Sequence, residues 1–421
     1  MLERKYEGNK SFKDYLKNPS QNSLVLDPVS EDEIIINICN LKQNKASGPY
    51  SIPTNILHII RHNISNPLSK IINMSFSTGV HPTNLKTSKT IPIFKKGSRM
   101  SISNYRPISL LSNLNKIFEK IMFERVYSFL EDFHCIYEHQ YGFRQKHSTN
   151  HALINITDKI QSALDNKSMV VGVFVDFQKA FDTVNHQILI EKLYHYGIRG
   201  CIKDWFQSYL TDRKQFVSID GFNSTEAPMK HGVPQGSVLG PLLFLLYIND
   251  LNHSVKSCWT YHFADDTNLL AIGKSPKKLQ KQMNFDLKQL YKWLLANKIS
   301  LNKTKTELII CRKPSSNICH DMTIKLNGHR IYPSATIKYL GFQLDETLSG
   351  AAHCSELAKK LIRANAMLTK VRHYVSEDKL ISIYFAIFSS HMTYGCQVWG
   401  QNHSSKKFQI IEKFQDRAMK I

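Results

Sequence analysis

The sequence lacks long hydrophobic runs and cysteine pairs at metal-binding spacing. Its longest apolar run, Leu242 to Ile248, is far shorter than the ~20 residues of a membrane-spanning helix. None of its eight cysteines forms a Cys-x-x-Cys pair, so we predict neither a zinc site nor a disulfide framework. The N-terminal residues 1–5 do not form the apolar core of a signal peptide. We therefore expect a protein of the nucleus or the cytoplasm that is not secreted.

Acidic residues are also scarce relative to basic ones. Lys and Arg number 55 against 34 Asp and Glu, which gives a formal net charge of +21. A surplus of this size predicts a polyanionic partner, and nucleic acid is favoured because nothing else in the chain indicates a membrane. The length of 421 residues allows one large domain or two to three smaller ones.

Two adjacent carboxylates, Asp265 and Asp266, lie between apolar flanks in the segment from Tyr261 to Leu270. The flanks predict two strands, so we expect the pair on the tight turn of a hairpin. An isolated Asp-Asp pair is usually an ordinary surface turn. Held between apolar walls, however, two like charges repel each other, and a divalent cation would relieve that repulsion.

A third carboxylate argues against the surface-turn interpretation. Met169 to Val175 is a β-branched run typical of a buried strand, and Asp176 follows it directly. Together with Asp265 and Asp266, Asp176 would supply the oxygen ligands that two Mg²⁺ ions need for phosphoryl transfer.

Three segments in order resemble the catalytic boxes of reverse transcriptases from non-LTR (LINE-type, Jockey-like) retrotransposons. They are Asp176 to Val184, with the sequence DFQKAFDTV, then Gly232 to Pro241, with GVPQGSVLGP, and Phe263 to Asp266, with FADD. Each box alone could arise by chance, but three at fitting spacing form a specific pattern. The resemblance extends over about residues 30 to 421.

The resemblance implies an α+β fold of the right-hand polymerase type, with fingers, a palm bearing an antiparallel sheet, and a helical thumb. We expect a lead-in and helical extension at 1–88, fingers and palm at 89–345, and the thumb at 346–421. The lead-in itself is polar and predicted to be loose up to residue 29. Helical periodicity continues almost to Ile421, which predicts a truncated thumb.

The resemblance also implies the reaction and its metal site. Phosphoryl transfer would add dNTPs to the 3′-OH of a DNA primer on an RNA template, with two Mg²⁺ ions or Mn²⁺ as a substitute. Asp176 and Asp265 would hold the ions, with Asp266 beside them. The carbonyl of Phe177 would add a further oxygen.

Further site residues follow from the same resemblance. Arg106 and Lys95 would meet the triphosphate, although a solvated hairpin tip is the plain alternative for the basic turn. Phe181 would pack under the nucleotide sugar and exclude a 2′-OH, whereas without the resemblance it would be assigned to the core. Gln235 lies in the glycine-rich turn and would also contact the nucleotide.

Two segments closer to the C-terminus contain the remaining predicted site residues. Lys305 lies in a segment that resembles a family segment with a Lys-Thr pair; the match implies a general acid toward pyrophosphate, and a solvated loop lysine is the alternative. Leu340 and Gly341 lie in a segment that resembles the primer-grip hairpin.

Two rival hypotheses remain at this stage. An inactive retroelement remnant that only binds nucleic acid would share the charge and the fold, but the chain keeps Asp176, Asp265 and Asp266. An intron-encoded or telomere-type reverse transcriptase would share the chemistry, but the sequence of Gly232 to Pro241 favours the retrotransposon enzyme. Family members usually carry an upstream endonuclease, so we expect a truncated copy or an excerpt.

Overall fold

The computed structural model describes residues 10–43, 46, 48–49, 52–313, 322–400 and 406–421. Residues 1–9 of the predicted lead-in and 401–405 of the predicted thumb lie outside this part. The chain forms two compact units that alternate along the sequence. The first contains Met1–Glu138, Phe177–Ser254 and Lys292–Leu301, and the second contains His139–Asp176, Val255–Tyr291 and Asn302–Ile421.

The α-helices and β-strands of the described residues are mixed along the chain. The helices are α1 (Glu31–Cys39), α2 (Thr54–Thr78), α3 (Asn113–Asp132), α4 (Thr149–Asp165), α5 (His186–His195), α6 (Gly200–Leu210), α7 (Leu239–Ile248), α8 (Pro276–Ala296), α9 (Ala351–Val371), α10 (Glu377–Tyr384), α11 (Ser390–Thr393), α12 (Cys396–Trp399) and α13 (Lys406–Met419). The strands are β1 (Thr87–Phe94), β2 (Tyr105–Leu110), β3 (Met169–Val175), β4 (Lys214–Ile219), β5 (Phe222–Asn223), β6 (Ala227–Pro228), β7 (Trp259–Phe263), β8 (Asp266–Gly273), β9 (Glu307–Cys311), β10 (Ile324–Leu326), β11 (His329–Ile331), β12 (Thr336–Tyr339) and β13 (Phe342–Asp345).

This mixture of helices and sheets confirms the α+β class. In the first unit, β1 pairs antiparallel with β2 and parallel with β4, which also pairs with β5 and β6. Helix α7 is apolar on all sides and buried along its length, as a helix without a polar face must be. Of the helices in the described ranges, none combines the length and the apolar character needed to cross a bilayer.

The polar lead-in packs against the first unit over its described residues. Tyr15 and Val29 are buried, and the Leu24 N–H donates to the Gly197 carbonyl over 2.9 Å. Arg199 reaches back to the Ser20 carbonyl. The prediction of a loose lead-in is therefore wrong for residues 10–29, because a few apolar side chains and backbone hydrogen bonds anchor an otherwise polar segment.

A buried ion pair lies at the centre of the first unit. Lys192 donates to Asp250 and to the Tyr247 carbonyl, and the Trp293 indole N–H donates to the second Asp250 oxygen over 3.0 Å. Both charged side chains are almost completely buried. Burial lowers the pKa of Lys192, and the Asp250 charge opposes that shift. The pair links α5 to the residues that follow α7.

The second unit is built on the antiparallel sheet β7-β8-β3-β9. The hairpins β10-β11 and β12-β13 follow it in the chain. Its core includes apolar side chains of α4, β3, β8, β13 and α9, among them Ile156, Val170, Leu270, Phe342 and Leu361. The predicted strand at Met169–Val175 and the predicted hairpin around the aspartate pair are both confirmed.

In the sequence, five apolar residues after the aspartate hairpin recur at helical spacing, a pattern that predicts a core-facing stripe. All five lie on helix α8 and are buried, namely Leu279, Met283, Leu287, Leu290 and Leu294. Helix α1 begins after Ser30, whose hydroxyl accepts the Glu33 N–H at 3.2 Å. The domain boundaries 88/89 and 345/346 stay predictions.

We predict that Asp250→Asn lowers the free energy of unfolding by about 3–5 kcal/mol, because it leaves the Lys192 ammonium buried without its counter-charge. Urea denaturation followed by circular dichroism measures this loss. Glu191→Gln is the matched control, since its ion pair with Lys13 is exposed on both sides and its removal should cost less than about 1 kcal/mol. Equal losses in the two variants would contradict a structural role for the buried pair.

Candidate active site

The aspartate pair lies on a two-residue hairpin between β7 and β8. Phe263 pairs with Asp266, so Ala264 and Asp265 form the loop and Asp266 is the first residue of β8. The sequence placed both aspartates on the turn, and the structure corrects this for Asp266. Ala264 has φ +55° and Asp265 does not have a positive φ, which is the sign pattern of a type II′ turn.

The register of β3 and β8 places Asp176 beside the hairpin. Val175 pairs with Thr267, so Asp176, one residue further, lies opposite Asp266 at the same end of the sheet. Directly opposed residues on antiparallel strands have Cα atoms about 4.5–5.5 Å apart. The strand order alone thus brings together carboxylates that are 90 residues apart in the chain, as 266 minus 176 shows.

A pocket of about 350 Å³ opens beside these carboxylates within the second unit. It contains three acidic and two basic side chains. Its lining residues are Phe174, Val175, Asp176, Asp266, Asn268, Thr304, Lys305, Glu307, Lys338, Tyr339 and Leu340. The pocket therefore brings together four of the residues singled out from the sequence, Asp176, Asp266, Lys305 and Leu340, whereas Asp265 and Gly341 do not line it.

Asp176 is held by two side chains from the loop before β9. Asn302 Nδ2 donates to Asp176 Oδ2 at 2.9 Å, and Lys305 Nζ lies 3.3 Å from the same oxygen. The Asn302 backbone N–H also donates to the Asp176 carbonyl at 2.9 Å. The sequence indicated a role for Lys305 but none for its neighbour Asn302. Its position in the same short loop was the only available signal.

The pocket suits a divalent cation by the chemistry of its donors. Within the described ranges, no three His, Cys, Asp or Glu side chains converge on a preformed metal site. Asp176 and Asp266 nevertheless offer hard carboxylate oxygens at one pocket wall. Mg²⁺ is usually bound by one or two carboxylates together with substrate phosphates and water, so these two residues fit that pattern.

The environment of Asp266 includes a buried tyrosine of β12. Tyr339 is 3 % exposed and lines the pocket with Asp266. Burial raises the pKa of the Tyr339 hydroxyl, and the negative charge of Asp266 raises it further. Tyr339 therefore stays protonated and neutral at physiological pH beside the carboxylate.

The segment 139–142 supports the outer side of the hairpin. The Tyr141 N–H donates to the His262 carbonyl, and the His262 N–H donates to the His139 carbonyl, each at 2.9 Å. Gln140 Oε1 accepts the N–H groups of Ala264 and Gly142, also at 2.9 Å. These bonds attach the segment to the edge strand β7.

His262 is a second internal support of the hairpin. It is buried, and its Nδ1 lies 3.0 Å from the Thr267 hydroxyl on the facing strand. Burial, with a smaller contribution from His139, lowers the pKa of His262 to about 3. The side chain is therefore neutral at physiological pH and adds no charge next to the aspartates.

Phe181 and Gln235 lie in the first unit, on two turns that contact each other. Phe181 is half-buried and stacks on Phe244 with ring centroids 4.5 Å apart. Gln235 Nε2 donates to Asp182 Oδ1 at 2.7 Å. Burial raises the pKa of Asp182, and this hydrogen bond opposes the shift.

The glycine-rich turn requires glycine at one position for a clear reason. Gly232 has φ +83°, and a Cβ there would lie 2.8–2.9 Å from the backbone of Asp182. Glu119 anchors the end of the same turn. Its carboxylate accepts hydrogen bonds from the Val238 N–H and the Tyr209 hydroxyl at 2.6 Å each. No pattern in the sequence indicated a role for Glu119, which contacts the turn from a helix more than 100 residues earlier.

The remaining predicted contacts with nucleotide lie on or near strands of the first unit. Arg106 is exposed on β2, opposite Ile93 of β1. The Lys95 N–H donates to the Asn104 carbonyl across the β1-β2 turn. Phe177 is buried and forms a bridge with Leu301. Their assigned roles stay predictions.

The predicted primer-grip segment forms the hairpin between β12 and β13. Leu340 and Gly341 make up its loop with φ values of +47° and +82°, as expected for a type I′ turn. The Tyr394 hydroxyl donates to the Leu340 carbonyl. The predicted hairpin is thus present, and primer contact by Leu340 and Gly341 stays a prediction.

Comparison with known proteins identifies a family match. The model of the family described as reverse transcriptase (RNA-dependent DNA polymerase) matches residues 93–344, which include the pocket, the hairpin and the glycine-rich turn.

Several curated relatives are similar over most of the chain. The RNA-directed DNA polymerase from mobile element jockey of Drosophila melanogaster is 29% identical over 93% of this chain and 43% of its own length. The probable RNA-directed DNA polymerases from transposon BS and transposon X-element of the same species are 30% and 28% identical over 97% and 95% of this chain, and 46% and 45% of their own lengths. The chain spans about half the length of the curated relatives it matches.

We predict that Gly142→Ala destabilises the hairpin support by about 1–3 kcal/mol, because the new Cβ would lie 2.3 Å from the Ala264 nitrogen. Urea unfolding measures the loss. Gly273→Ala is the control in the same unit, since its Cβ would meet only the Leu279 side chain at 3.3 Å. A Gly142 variant as stable as the Gly273 variant would show that the close approach is absent in solution.

Proposed function

Because the chain belongs to the reverse transcriptase (RNA-dependent DNA polymerase) family, we propose that it adds dNTPs to the 3′-OH of a DNA primer on an RNA template. The observation that carries this proposal is the pairing of β3 with β8, which sets Asp176 opposite Asp266 at the wall of an open pocket. Similarity to the Jockey, BS and X-element polymerases supports a non-LTR retrotransposon as its source.

In this proposal Asp176, Asp265 and Asp266 hold two Mg²⁺ ions, with the Phe177 carbonyl as a further oxygen. Bound there, the ions would lower the pKa of the primer 3′-OH and neutralise the charge of the leaving pyrophosphate. Asn302 and Lys305 orient the Asp176 carboxylate through its Oδ2 atom. Lys305 also lines the pocket wall, where its side chain would serve the pyrophosphate as a general acid.

The other assigned residues act on the nucleotide and the primer. Arg106 binds phosphate oxygens through its guanidinium, with Lys95 as a weaker cation. Phe181 packs under the sugar and Gln235 lies next to it. The hairpin loop of Leu340 and Gly341 contacts the primer. In the right-hand arrangement, residues 89–345 form fingers and palm, and 346–421 form the thumb.

The net charge of +21 supports the nucleic-acid partners of this reaction. An inactive remnant that only binds nucleic acid would need the same charge but no carboxylate site. The retained aspartates and the pocket beside them favour the enzyme. We place its action in the nucleus or the cytoplasm.

Primer extension on an RNA template with Mg²⁺ tests the proposal directly. We expect Asp265→Asn to reduce the extension rate about 10³-fold, which corresponds to ~4 kcal/mol of transition-state stabilisation, because the amide keeps the shape but loses the charge. The circular dichroism spectrum and the affinity for primer–template should stay close to those of the parent. Extension by the variant at the parental rate would refute the metal-site assignment.

We also expect Phe181→Val to admit ribonucleotides while keeping most of the activity with dNTPs, because removal of the ring makes room for a 2′-OH. The ratio of dNTP to rNTP incorporation on one primer–template measures this effect. Phe285→Val is the control, since Phe285 is a half-exposed phenylalanine of α8 in the other unit. Unchanged discrimination in a folded, active Phe181 variant would return this residue to a packing role.

A further inference from the structure

The loop that carries Asp265 has a backbone conformation that alanine adopts reluctantly. Ala264 is its first residue, with φ +55°, a region that L side chains rarely occupy. Glycine is the usual residue at this position of a type II′ turn. A non-glycine residue persists in such a conformation only where surrounding contacts hold it. Some contact must therefore hold Ala264 in this conformation.

The side chain of Gln140 supplies that contact. Its Oε1 accepts the Ala264 N–H and the Gly142 N–H, both at 2.9 Å, and the residue is only 4 % exposed. One amide oxygen thus joins the aspartate loop to the segment that covers it. Because the oxygen is buried, water cannot readily replace it as the acceptor for these two N–H groups.

The position of Gln140 is itself fixed by the backbone. Gln140 forms a parallel bridge with His262, one strand residue before Phe263. The hydrogen bonds of Tyr141 and His262 lie on either side of this bridge. Gly142 then passes so close to Ala264 that no Cβ would fit between them. The side chain therefore meets the loop from a rigid base.

The chemistry of the acceptor also suits this site. An amide oxygen accepts two N–H groups without adding charge. A carboxylate in its place would accept them equally well, but it would put another negative charge near Asp265 and Asp266. Glutamine thus gives the loop a neutral acceptor in a location where charge must be reserved for the aspartates.

We propose that Gln140 is a positioning residue that holds the Ala264–Asp265 loop in the conformation needed for catalysis. This inference rests on the proposed polymerase function. It assigns Gln140 no contact with the substrate. Loss of its side-chain oxygen should release the loop and slow the chemical step, while the binding of primer–template should change little.

The test compares Gln140→Ala, Gln140→Glu and the control Gln280→Ala in the full chain. Gln280 is matched because its Oε1 also accepts a backbone N–H, that of Thr323, and it does not line the pocket. Hydrogen exchange of peptides that cover residues 259–268 reports on the loop without any need for activity. Single-turnover extension and fluorescence anisotropy then give the rate and the primer–template affinity separately.

For Gln140→Ala we expect at least tenfold faster exchange in the hairpin peptides, a 10–100-fold lower single-turnover rate, and primer–template affinity within twofold of the parent. Gln140→Glu should keep the parental exchange rate because it keeps the acceptor, and it should extend primers faster than Gln140→Ala. Gln280→Ala should match the parent in hairpin exchange. Gln140→Asn, whose side chain is one methylene shorter, replaces Gln140→Ala if that variant does not fold.

Three results would overturn the proposal: unchanged hairpin exchange in Gln140→Ala, a rate loss no larger than that of Gln280→Ala, or an equal loss of rate and of primer–template affinity. Failure of the parent chain to extend any primer would instead refute the proposed function. The two failures are therefore distinguishable.

Discussion

The pairing of β3 with β8 is the constraint on which the candidate site depends. Gly172 lies in the middle of β3, and a Cβ there would meet the side chains of Leu270 and Ile309 at 3.1 and 3.2 Å. These two neighbours close over the glycine from both adjacent strands, which favours one register. A slip by one residue would reverse the faces of β3 and take Asp176 away from its position opposite Asp266. Packing in the core thus determines the geometry of charges at the end of the sheet.

The hairpin between β7 and β8 is anchored at its entry and at its loop by buried acceptors. Asp286, fully buried on α8, accepts the N–H groups of Lys256, Ser257 and Cys258 at 2.8–3.0 Å, just before β7 begins. Gln140 accepts the N–H of Ala264 at the loop. Buried acceptors of this kind are costly to remove, because each would leave backbone donors unpaired. The hairpin between them has little freedom to change its register or its turn.

Much of this arrangement could be predicted from the sequence, because strands and helices repeat their apolar positions. The β-branched run before Asp176 and the stripe on α8 identified elements that the structure confirms. The supports could not be predicted in the same way. Gln140 contacts Ala264 across 124 residues of sequence, and Asn302 contacts Asp176 across 126. A single hydrogen bond from one side chain leaves no periodic pattern in the sequence. The packed lead-in escaped prediction for a similar reason, since three buried side chains hold a mostly polar segment.

The contacts of Asp176 explain how a site can be ordered and still remain open to a cation. Among the described residues, Asn302 and Lys305 both bind Oδ2, which leaves the lone pairs of Oδ1 for other ligands. Lys305 is half-exposed, so its pairing with Asp176 contributes only about 0–1 kcal/mol and can be given up at small cost. Asn302, in contrast, also binds the Asp176 carbonyl through its backbone and keeps the carboxylate oriented when the lysine leaves. Before its substrate arrives, an acidic site needs a neutral donor that orients the carboxylate. It also needs a weakly held cation that balances the negative charge.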